Sequence, residues 1–478
     1  MPFLLALLAI LAALLAVIMA RTLLFVPPKL EAVPSEDIQA DEGRLTRNLQ
    51  AMLRLKTVSH AEEGLMDEAQ FAAFRELLST LYPTAFARCA VELHGKGGLL
   101  LHLKGQDSRA PFVLMAHYDV VPAEEARWAQ PPFEGRLVDG EVWGRGALDT
   151  KCTVLCLMEA LEAQLLQGFV PKNDLYISLG GDEETLGKDA SAIVDALEAR
   201  GVRPAFVLDE GGAVVSGVFP GVPGSAALVG IAEKGSAFID ITAKGRAGHA
   251  SAPPARQAAG ALSRALLRVT GRPMPFTMTE PARALFDTLG RHSTFFYKLI
   301  FANLWCFAPL LDLICRKAGG ELNALVRTTT AITRLSAAQA YNVLPSEVKA
   351  GVNLRLISGD SVEAARNRLE KIIASPEVSV ELVRGSEPSI ISPPSGEAWR
   401  RLERAIRQTY KEAVVSPYLM VAASDSRHFC RISNHVYRFS GFPLARAQLS
   451  LIHSQDERIP ARLLPDAFRF YTRVIRQC

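Results

Sequence analysis

The chain has 478 residues, of which 49% are hydrophobic, and its formal net charge at pH 7 is only +3. This length allows roughly two or three domains with buried cores, and the near-balanced charge, without a basic stripe interleaved with aromatic residues, argues against a nucleic-acid partner. The seven cysteines are an odd number without zinc-finger spacing, so neither a disulfide framework nor a structural zinc site is indicated. Cys152 and Cys156, one helical turn apart, are expected to pack as small hydrophobic residues.

The amino terminus predicts a membrane segment. Residues 2–20 are almost entirely Leu, Ala, Ile and Val, and together with 22–26 they approach the roughly 20 apolar residues that span a bilayer. Because this run is longer than the apolar part of a signal peptide and no Lys or Arg precedes it, we expect 1–26 to be a single-pass anchor. A cleaved signal peptide, which would leave a secreted protein, is the alternative. Residues 27–42 are rich in Pro and acidic residues and predict a linker.

Four short apolar runs each end at histidine or acidic residues. The runs and the residues that follow them are 112–116 with His117 and Asp119, 175–179 with Glu183 and Glu184, 205–208 with Asp209 and Glu210, and 449–452 with His453 and Glu457. Such runs predict buried strands, and in open α/β sheets ligands bind outside the carboxyl ends of the strands. Each acid taken alone is more often a solvated loop residue. Their recurrence predicts that they meet in one cleft.

A glycine-rich turn at 142–151 brings a further acid, Asp149, to the start of a helix. Apolar residues repeat at helical spacing over 155–166, directly behind this turn. Taken alone, Asp149 would serve as an N-cap, because its carboxylate can accept hydrogen bonds from the first free amides of the helix. Beside a histidine and other carboxylates it can also bridge cations. Imidazole and carboxylate ligands suit zinc, with cobalt or manganese as alternatives, and indicate a catalytic site.

A second domain is expected to interrupt the first. Apolar and polar residues alternate at 237–243 and again at 348–356, a period of two that is typical of strands with one face covered. We therefore predict a catalytic domain in two parts, and the boundaries are 43–230 for its first part, 231–392 for the inserted domain and 393–478 for its second part.

The apolar stretch 295–315 within the insert has several alternative structural explanations. Lys298, Asn303 and Pro309 interrupt it, which argues against a membrane-spanning helix. A buried helix or a dimer contact is the ordinary explanation. An apolar wall for a fatty-acyl chain and a surface that dips into the bilayer are the alternatives.

A set of motifs carries a resemblance to a known family. The motifs are 117–119, 144–151, 181–184, 209–212, 248–251, 342–345 and His453. In this order they resemble the two-zinc exopeptidases and deacylases, which include carboxypeptidase S, glutamate carboxypeptidase and aminoacylase. Residues 423–427 and the apolar insertion near Trp305 resemble the branch that contains carboxypeptidase S and the N-fatty-acyl-amino acid synthases/hydrolases. The resemblance implies an α/β fold, with a mostly parallel sheet in the catalytic domain and an inserted α+β lid and dimerisation domain.

The resemblance also assigns ligands to two zinc ions per chain. His117 and Asp209 would hold one ion, Glu184 and His453 would hold the other, and Asp149 would bridge the two. Two metals about 3.5–4 Å apart lower the pKa of bound water and polarise a scissile carbonyl, so amide hydrolysis is the implied reaction.

Two catalytic residues follow from the same resemblance. Glu183 would be the general base that activates the attacking water, and Asp119 would orient His117. A pair such as Glu183 and Glu184 is otherwise an exposed acidic turn, but here it directly follows two glycines at a strand end.

The lid would supply three further residues. His249 would donate to the developing oxyanion, and Asn342 and Arg355 would bind substrate, Arg355 through a carboxylate of the substrate. Without the resemblance, His249 is as well explained as a loop residue and Arg355 as a solvated strand residue. Many family members supply the lid histidine across a dimer interface, so a homodimer through the lid is expected. Asn353 stands where the family commonly has Asp two residues before the arginine.

The sequence therefore predicts a membrane-tethered zinc amidohydrolase. Its expected substrate is an N-acyl amino acid, in the lipid branch with a fatty-acyl group and a reversible reaction, or a small peptide with a free carboxylate. The alternatives are a carboxypeptidase or dipeptidase for ordinary peptides, and an inactive membrane-bound relative that only binds. Arg21 and Lys29 after the membrane segment favour a cytoplasmic enzyme, whereas relatives with such a leader are often lumenal or secreted, so the membrane side stays open.

Overall fold

The computed structural model describes residues 1–29, 31–60, 62, 64–217, 219 and 221–478. The apolar amino terminus forms one helix, α1 (Pro2–Leu24), on which only Ile18 and Thr22 are buried. By length and composition α1 can cross a membrane, because 23 residues of helix are about 34 Å long and a bilayer core is about 30 Å thick. The segment after α1 lies along the body of the protein, where Arg473 donates to the backbone oxygen of Glu36 at 2.9 Å.

The remaining elements fall into three consecutive stretches of the chain. In the first stretch, helices α2–α6 are Glu42–Leu53, Glu68–Leu81, Pro83–Arg88, Lys151–Leu166 and Asp189–Ala199, and strands β1–β9 are Ala90–His94, Gly98–Leu103, Asp107–His117, Arg136–Val138, Glu141–Trp143, Asn173–Gly180, Phe206–Asp209, Val214–Ser216 and Ser225–Glu233. In the second, β10–β15 are Gly235–Lys244, Gly248–His249, Thr329–Ser336, Val343–Leu344, Glu347–Leu356 and Val378–Ser386, and α7–α12 are Ala258–Gly271, Glu280–Arg291, Phe295–Ala302, Leu304–Ala318, Gly320–Ala324 and Val362–Ile373. In the third, α13–α16 are Gly396–Thr409, Ser426–Phe429, Arg446–Leu449 and Leu464–Ile475, and β16–β19 are Val414–Met420, Val436–Arg438, Pro443–Leu444 and Arg458–Pro460.

The largest sheet has the strand order β1-β2-β6-β3-β7-β17-β9-β8-β18, with β16 paired to β9. Its central strands β6, β3, β7 and β17 are parallel. The strands predicted at 112–116, 175–179 and 205–208 are confirmed, because the first two runs lie in β3 and β6, the third forms β7 from Phe206 onward, and the strand residues are buried. The register pairs His117 with Gly180, so the carboxyl ends of neighbouring strands meet at one edge of the sheet. Ligand crevices form at this edge in open α/β sheets.

Helices cover both faces of this sheet. On one face α5 is buried along almost its whole length and packs against α16. Its Cys152 and Cys156 are completely buried, and burial raises the pKa of both thiols well above the ordinary value. Both therefore pack as small apolar groups, as the sequence predicts. On the other face, Ile193 of α6 and Phe429 of α14 share a buried cluster with Val207 of β7.

A four-stranded antiparallel sheet, β12-β14-β10-β15, forms a second unit. The alternation at 237–243 and 348–356 corresponds to β10 and β14, whose apolar side chains are buried beneath α7 and α12. Strand β10 begins two residues after β9 ends. On the return path, the amide of Ser392 donates to the backbone oxygen of Ile231 at 2.8 Å. The chain thus leaves and re-enters the large sheet at the same place.

Helices α8–α11 lie in the inserted stretch of the sequence but pack on the large sheet. Leu285 and Phe286 of α8 share a buried cluster with Tyr418 of β16, and none of them belongs to the core of the four-stranded sheet. Helices α9 and α10, which contain the apolar stretch 295–315, are bent against each other by 114°. The expectation of one lid unit over 231–392 therefore differs from the observed packing at α8–α11.

The fourth predicted strand, at 449–452, is wrong. Leu449 ends the short helix α15 and the next residues form a turn, in which the amide of Ile452 donates to the backbone oxygen of Leu449 at 3.4 Å. Four apolar residues in a row do not distinguish a strand from a helical turn. His453 therefore reaches the cleft from a turn, in the left-handed backbone region with φ 60°.

Candidate metal centre

Two histidines face the two oxygens of one carboxylate at the carboxyl edge of the large sheet. His117, the last residue of β3, places Nε2 3.1 Å from Asp149 Oδ1, and His453 places Nε2 3.1 Å from Asp149 Oδ2. Glu184 is a second partner of His453, with Oε2 3.0 Å from the same nitrogen. Ligand atoms of His117, Asp149 and Glu184 also lie within 4.8 Å of one another. The structure thus brings these predicted ligands together, with Asp149 between the two imidazoles.

The remaining predicted ligand, Asp209, is not part of this group. Its carboxylate accepts a hydrogen bond from the amide of Ser426 at 3.0 Å, whereas Glu210 Oε1 lies 3.2 Å from His117 Nε2. Glu183 is close as well, because ligand atoms of His117, Glu183 and Glu210 lie within 4.8 Å of one another. Consecutive side chains of an extended segment point to opposite sides, so only one of two adjacent acids can face His117. That acid is Glu210.

The carboxylate of Asp119 holds three parts of the site in place. Its Oδ1 lies 3.2 Å from His117 Nδ1, which leaves His117 Nε2 turned toward the cluster. The amides of Glu183 and Glu184 donate to its two oxygens at 3.2 and 3.1 Å, and the hydroxyl of Ser59 donates at 2.7 Å. Asp119 has no exposed surface. These contacts are those expected of a residue that orients a metal-binding histidine, and they also fix the turn that carries both glutamates.

A buried acid that the sequence analysis left without a role, Glu457, shapes the loop before α5. Its carboxylate accepts hydrogen bonds from Arg145 Nη1 at 2.6 Å and from the amides of Gly146 and Asp149 at 3.1 Å. Gly146 has φ 90°, a conformation that side-chain-bearing residues rarely adopt. Helix α5 begins beyond Asp149, whose carboxylate turns to the histidines instead of capping the helix. The only sequence signal for Glu457 is its position shortly after His453, behind an apolar run.

Carboxylates outnumber cationic groups in the cluster. Burial raises the pKa of Glu210 to about 8; the positive charge of His117 opposes this shift, and the negative charge of Asp149 adds to it. Burial also raises the pKa of Glu183 well above its ordinary value. Hydrogen bonds to neighbouring carboxylates raise the pKa of His453 to about 10. Such a surplus of buried acids is costly, and bound cations remove the cost.

Asp425 is a further buried acid beside the cluster, and Arg427 Nη2 lies 3.9 Å from its Oδ1. Asp425 is 4% exposed, and neither of its carboxylate oxygens has a hydrogen-bond partner among the residues that the structure describes. It lies against the end of β6, because a Cβ atom added to Gly180 would be 2.7 Å from Asp425 Oδ2. An unsatisfied buried acid beside imidazole and carboxylate donors fits a site for divalent cations, and the donor types suit zinc.

Two predicted lid residues, His249 and Asn342, lie next to each other but away from the cluster. His249 is on β11, is exposed, and places Nδ1 2.7 Å from Ser251 Oγ. Asn342 immediately precedes β13, the partner strand of β11, and its backbone oxygen accepts from the amide of Ala250 at 3.0 Å. Within the described ranges, the side chains of His249 and Asn342 make no hydrogen bond to the metal-site residues.

Arg355, the third predicted lid residue, is on β14 and half-buried. Burial lowers the pKa of its guanidinium, and the charges of Glu233, Arg427 and Glu183 also act on it. It forms no ion pair within the described part of the chain. Arg427 lies in the same region, where it donates to the backbone oxygen of Ser424 at 3.0 Å. Two guanidinium groups therefore lie within electrostatic range of the cluster.

Comparisons with known proteins bear on this geometry. Residues 113–477 match Peptidase family M20/M25/M40. The chain belongs to this family. The N-fatty-acyl-amino acid synthase/hydrolase PM20D1 of Xenopus tropicalis is 35% identical over 452 residues, which cover 93% of this chain and 88% of the relative. A carboxypeptidase S-like protein of Dictyostelium discoideum is 31% identical, with 94% of this chain and 88% of the relative covered.

Solved structures of M20-type enzymes share the fold at low identity. The M20 family metallo-carboxypeptidase Sso-CP2 from Sulfolobus solfataricus has a TM-score of 0.67 at 15% identity, with 92% of this chain and 99% of that chain covered. Human carnosine dipeptidase 1 has a TM-score of 0.62 at 16% identity, with 91% and 96% covered. The resemblance, the α/β fold class and the enzyme class predicted from sequence are thereby confirmed, and the chain is a metal-dependent hydrolase.

Proposed function

We propose that this M20-family chain hydrolyses the amide bond of N-acyl amino acids with two zinc ions. In this proposal His117 and Glu210 would hold one ion, Glu184 and His453 would hold the other, and the Asp149 carboxylate would be shared between the two. The observation that carries the proposal is the Asp149 carboxylate, whose two oxygens each lie 3.1 Å from a different imidazole nitrogen. One carboxylate between two sets of donors is the arrangement that a two-metal site requires.

Glu183 acts as general base in the proposed reaction. Bound zinc would polarise the scissile carbonyl and lower the pKa of the attacking water. Glu183 then accepts a proton from the water as its oxygen bonds to the carbonyl carbon, and delivers that proton to the amide nitrogen as the C–N bond breaks. The amide of Glu183 donates to Asp119 at 3.2 Å, which keeps the side chain at the cluster. The products are a carboxylic acid and a free amino acid.

Arg355 is the proposed partner of the substrate carboxylate. Its guanidinium is half-buried, forms no ion pair among the described residues, and lies within range of the charge of Glu183. A planar guanidinium with free donors suits a bidentate contact with a carboxylate. The PM20D1 relatives bear the name N-fatty-acyl-amino acid synthase/hydrolase, which supports an N-acyl amino acid, with a reversible reaction, over an ordinary peptide.

A homodimer would complete the site. His249 and Asn342 are exposed and side by side, and the nearby Tyr341 and Val343 are exposed as well. A histidine that stabilises an oxyanion must reach the scissile carbonyl, and His249 bonds only to Ser251 within the described part of the chain. Delivery of His249 and Asn342 to the cleft of a second copy accounts for their exposure.

We also propose that α1 is retained as a membrane anchor. Asn303, which has no exposed surface, donates to the backbone oxygen of Ile18 at 3.2 Å and to Thr22 Oγ1 at 3.1 Å. Arg21 donates to the backbone oxygen of Ala302 at 3.1 Å. A cleaved signal peptide has no need of buried contacts with the mature protein. These contacts support an anchor whose carboxyl end packs on the enzyme.

The exposed faces of α9 and α10 extend the proposed membrane contact. Phe295, Phe296, Trp305 and Leu313 are each at least half exposed, beside the helix end that α1 contacts. Aromatic and aliphatic side chains of this kind are favoured at the boundary between headgroups and acyl chains. The stretch 295–315 would therefore be partly core and partly membrane contact.

Product analysis tests the proposed activity. The full-length protein in detergent is incubated with zinc and, separately, with libraries of N-acyl amino acids and of dipeptides and tripeptides. The proposal predicts release of free amino acid from the N-acyl library, and loss of this release in Glu183→Gln with zinc content unchanged. Release from peptides alone would support a carboxypeptidase instead, and turnover that is equal in Glu183→Gln would remove Glu183 from its role.

A further inference from the structure

An apolar cavity of about 450 Å³ lies between the large sheet and helices α8, α10 and α11. Its inner wall consists of buried side chains, which are Val215, Ala226, Leu285, Leu289, Leu325 and Tyr418. Its outer wall includes the exposed residues Gly217, Gly224, Arg446 and Ser450. The cavity is therefore closed and apolar at one end and open at the other.

The open end adjoins the loop that carries a metal-site histidine. Ser450 lies three residues before His453, so their Cα atoms are at most about 11 Å apart. A turn lowers this limit, because the amide of Ile452 bonds to the backbone oxygen of Leu449. Leu449 also lines the cavity.

A second wall of the cavity reaches the segment that carries Glu210. Leu228 lines the cavity and donates its amide to the backbone oxygen of Ala213 at 3.0 Å. Tyr418 of β16 also lines the cavity. Met420, two residues further along β16, packs against Gly211, since a Cβ atom added to Gly211 would lie 2.5 Å from Met420 Sδ. The cavity thus lies between the segments of Glu210 and His453, on two sides of the same metal centre.

We infer that this cavity binds the acyl chain of the substrate, an unbranched hydrocarbon chain attached through the scissile amide. The inference rests on the proposed hydrolysis of N-acyl amino acids and adds the subsite that selects the acyl group. With a chain there, the scissile carbonyl lies at the metal centre and the amino-acid carboxylate extends toward Arg355. A methylene fills about as much space as a water molecule, roughly 30 Å³, so 450 Å³ holds a chain of roughly fifteen carbons.

The occupant follows from the lining. Burial of each methylene in an apolar wall gains roughly 0.8 kcal/mol, which is about a fourfold gain in kcat/KM for each methylene that enters. A segment of peptide backbone in the cavity would leave its amides unpaired against Leu285, Leu289 and Leu325. A hydrocarbon chain has no such groups, and Glu321, a polar group of the wall, is already bonded to Tyr418 Oη at 3.0 Å.

Leu322 on α11 offers a test, because it lines the cavity but is only partly buried in the protein core. Full-length Leu322→Trp fills the cavity and Leu322→Asp places a charge in it, while Leu267→Trp, on an exposed position of α7, is the matched control. Each protein is assayed with acetyl, octanoyl and hexadecanoyl derivatives of the amino acid that the library screen selects. We expect both Leu322 variants to lose about tenfold or more in kcat/KM for the hexadecanoyl substrate, which corresponds to roughly two methylenes of lost burial, and to keep acetyl turnover. Equal losses for all acyl lengths, or none, would overturn the inference.

Photolabelling provides a second readout that does not depend on turnover. The Glu183→Gln protein is irradiated with an N-acyl amino acid that carries a diazirine at the end of a hexadecanoyl chain, and labelled peptides are mapped by mass spectrometry. We expect labels at 285–289 or 322–325. We expect less labelling of these peptides in the double variant that carries Leu322→Trp in addition to Glu183→Gln. Labels confined to other regions would contradict the cavity assignment. If no N-acyl substrate is hydrolysed but these peptides are labelled, the proposed reaction fails while the hydrocarbon site stands.

Discussion

Exchange of the two adjacent acids Asp209 and Glu210 for their amides separates the two candidate metal ligands. Glu210→Gln removes a carboxylate 3.2 Å from His117 Nε2, and Asp209→Asn removes one that accepts a hydrogen bond from the Ser426 amide at 3.0 Å. Loss of a residue that only supports a ligand costs roughly 10–100-fold in metal affinity, so loss of a ligand itself should cost about 100-fold or more. In Asp209→Asn the new side chain can still accept a hydrogen bond from the Ser426 amide. The substitution should therefore weaken metal binding by about 1 kcal/mol, which is less than a tenfold loss of affinity.

Metal affinity is the quantity to measure for this pair. Wild type, Glu210→Gln and Asp209→Asn are loaded with zinc, dialysed against a series of chelator buffers, and analysed for zinc per chain. We predict that Glu210→Gln loses one ion at a chelator strength about 100-fold weaker than wild type requires, while Asp209→Asn stays within tenfold of wild type. The reverse order, with Asp209→Asn losing the ion and Glu210→Gln keeping it, would refute the proposed assignment of Glu210 as the ligand.

Three further outcomes are expected. Asp119→Asn should lower kcat by about 10–100-fold with little change in KM, because it weakens the hold on His117 and on the amides of the glutamate turn; a change confined to KM would contradict this role. Asn303→Leu should leave hydrolysis of an acetyl substrate intact but raise susceptibility of the α1 junction to protease, and equal cleavage in both proteins would argue against the anchor contact. Lys234 has its pKa lowered to about 7, first by burial and then by the charge of Arg355, so between about pH 7 and its ordinary value of 10.5 the unfolded chain holds a proton that the folded chain lacks. The free energy of unfolding of the wild type, relative to that of Lys234→Met, should therefore rise with pH across that window, as thermal unfolding at several pH values would show. A relative stability that falls with pH would exclude the lowered pKa.

The strand ends could be predicted from the sequence because burial leaves a clear pattern. Runs such as 112–116 and 205–208 are apolar on both faces, since helices cover both sides of the sheet, and the residues that follow them must lie at the carboxyl edge. The run at 449–452 has the same composition but sits in a turn beside a cavity. Local composition reports burial and does not distinguish the two conformations.

The details of the site depend on distances that no local pattern contains. Asp209 and Glu210 are adjacent, and the direction of each side chain follows from how β7 ends, so the sequence alone does not show which of the two faces His117. Glu457 accepts hydrogen bonds from the loop before α5, although it lies 308 positions after Asp149 in the sequence. The packing of Asn303 against α1 likewise joins segments 285 positions apart. Such contacts arise only when the chain has folded.

Anomalous scattering at the zinc edge from crystals of the zinc-loaded protein tests the central claim most directly. The account predicts two peaks about 3.5–4 Å apart, one beside His117 and Glu210 and the other beside Glu184 and His453, with Asp149 in contact with both. A single peak, or two peaks of which only one contacts Asp149, would contradict it.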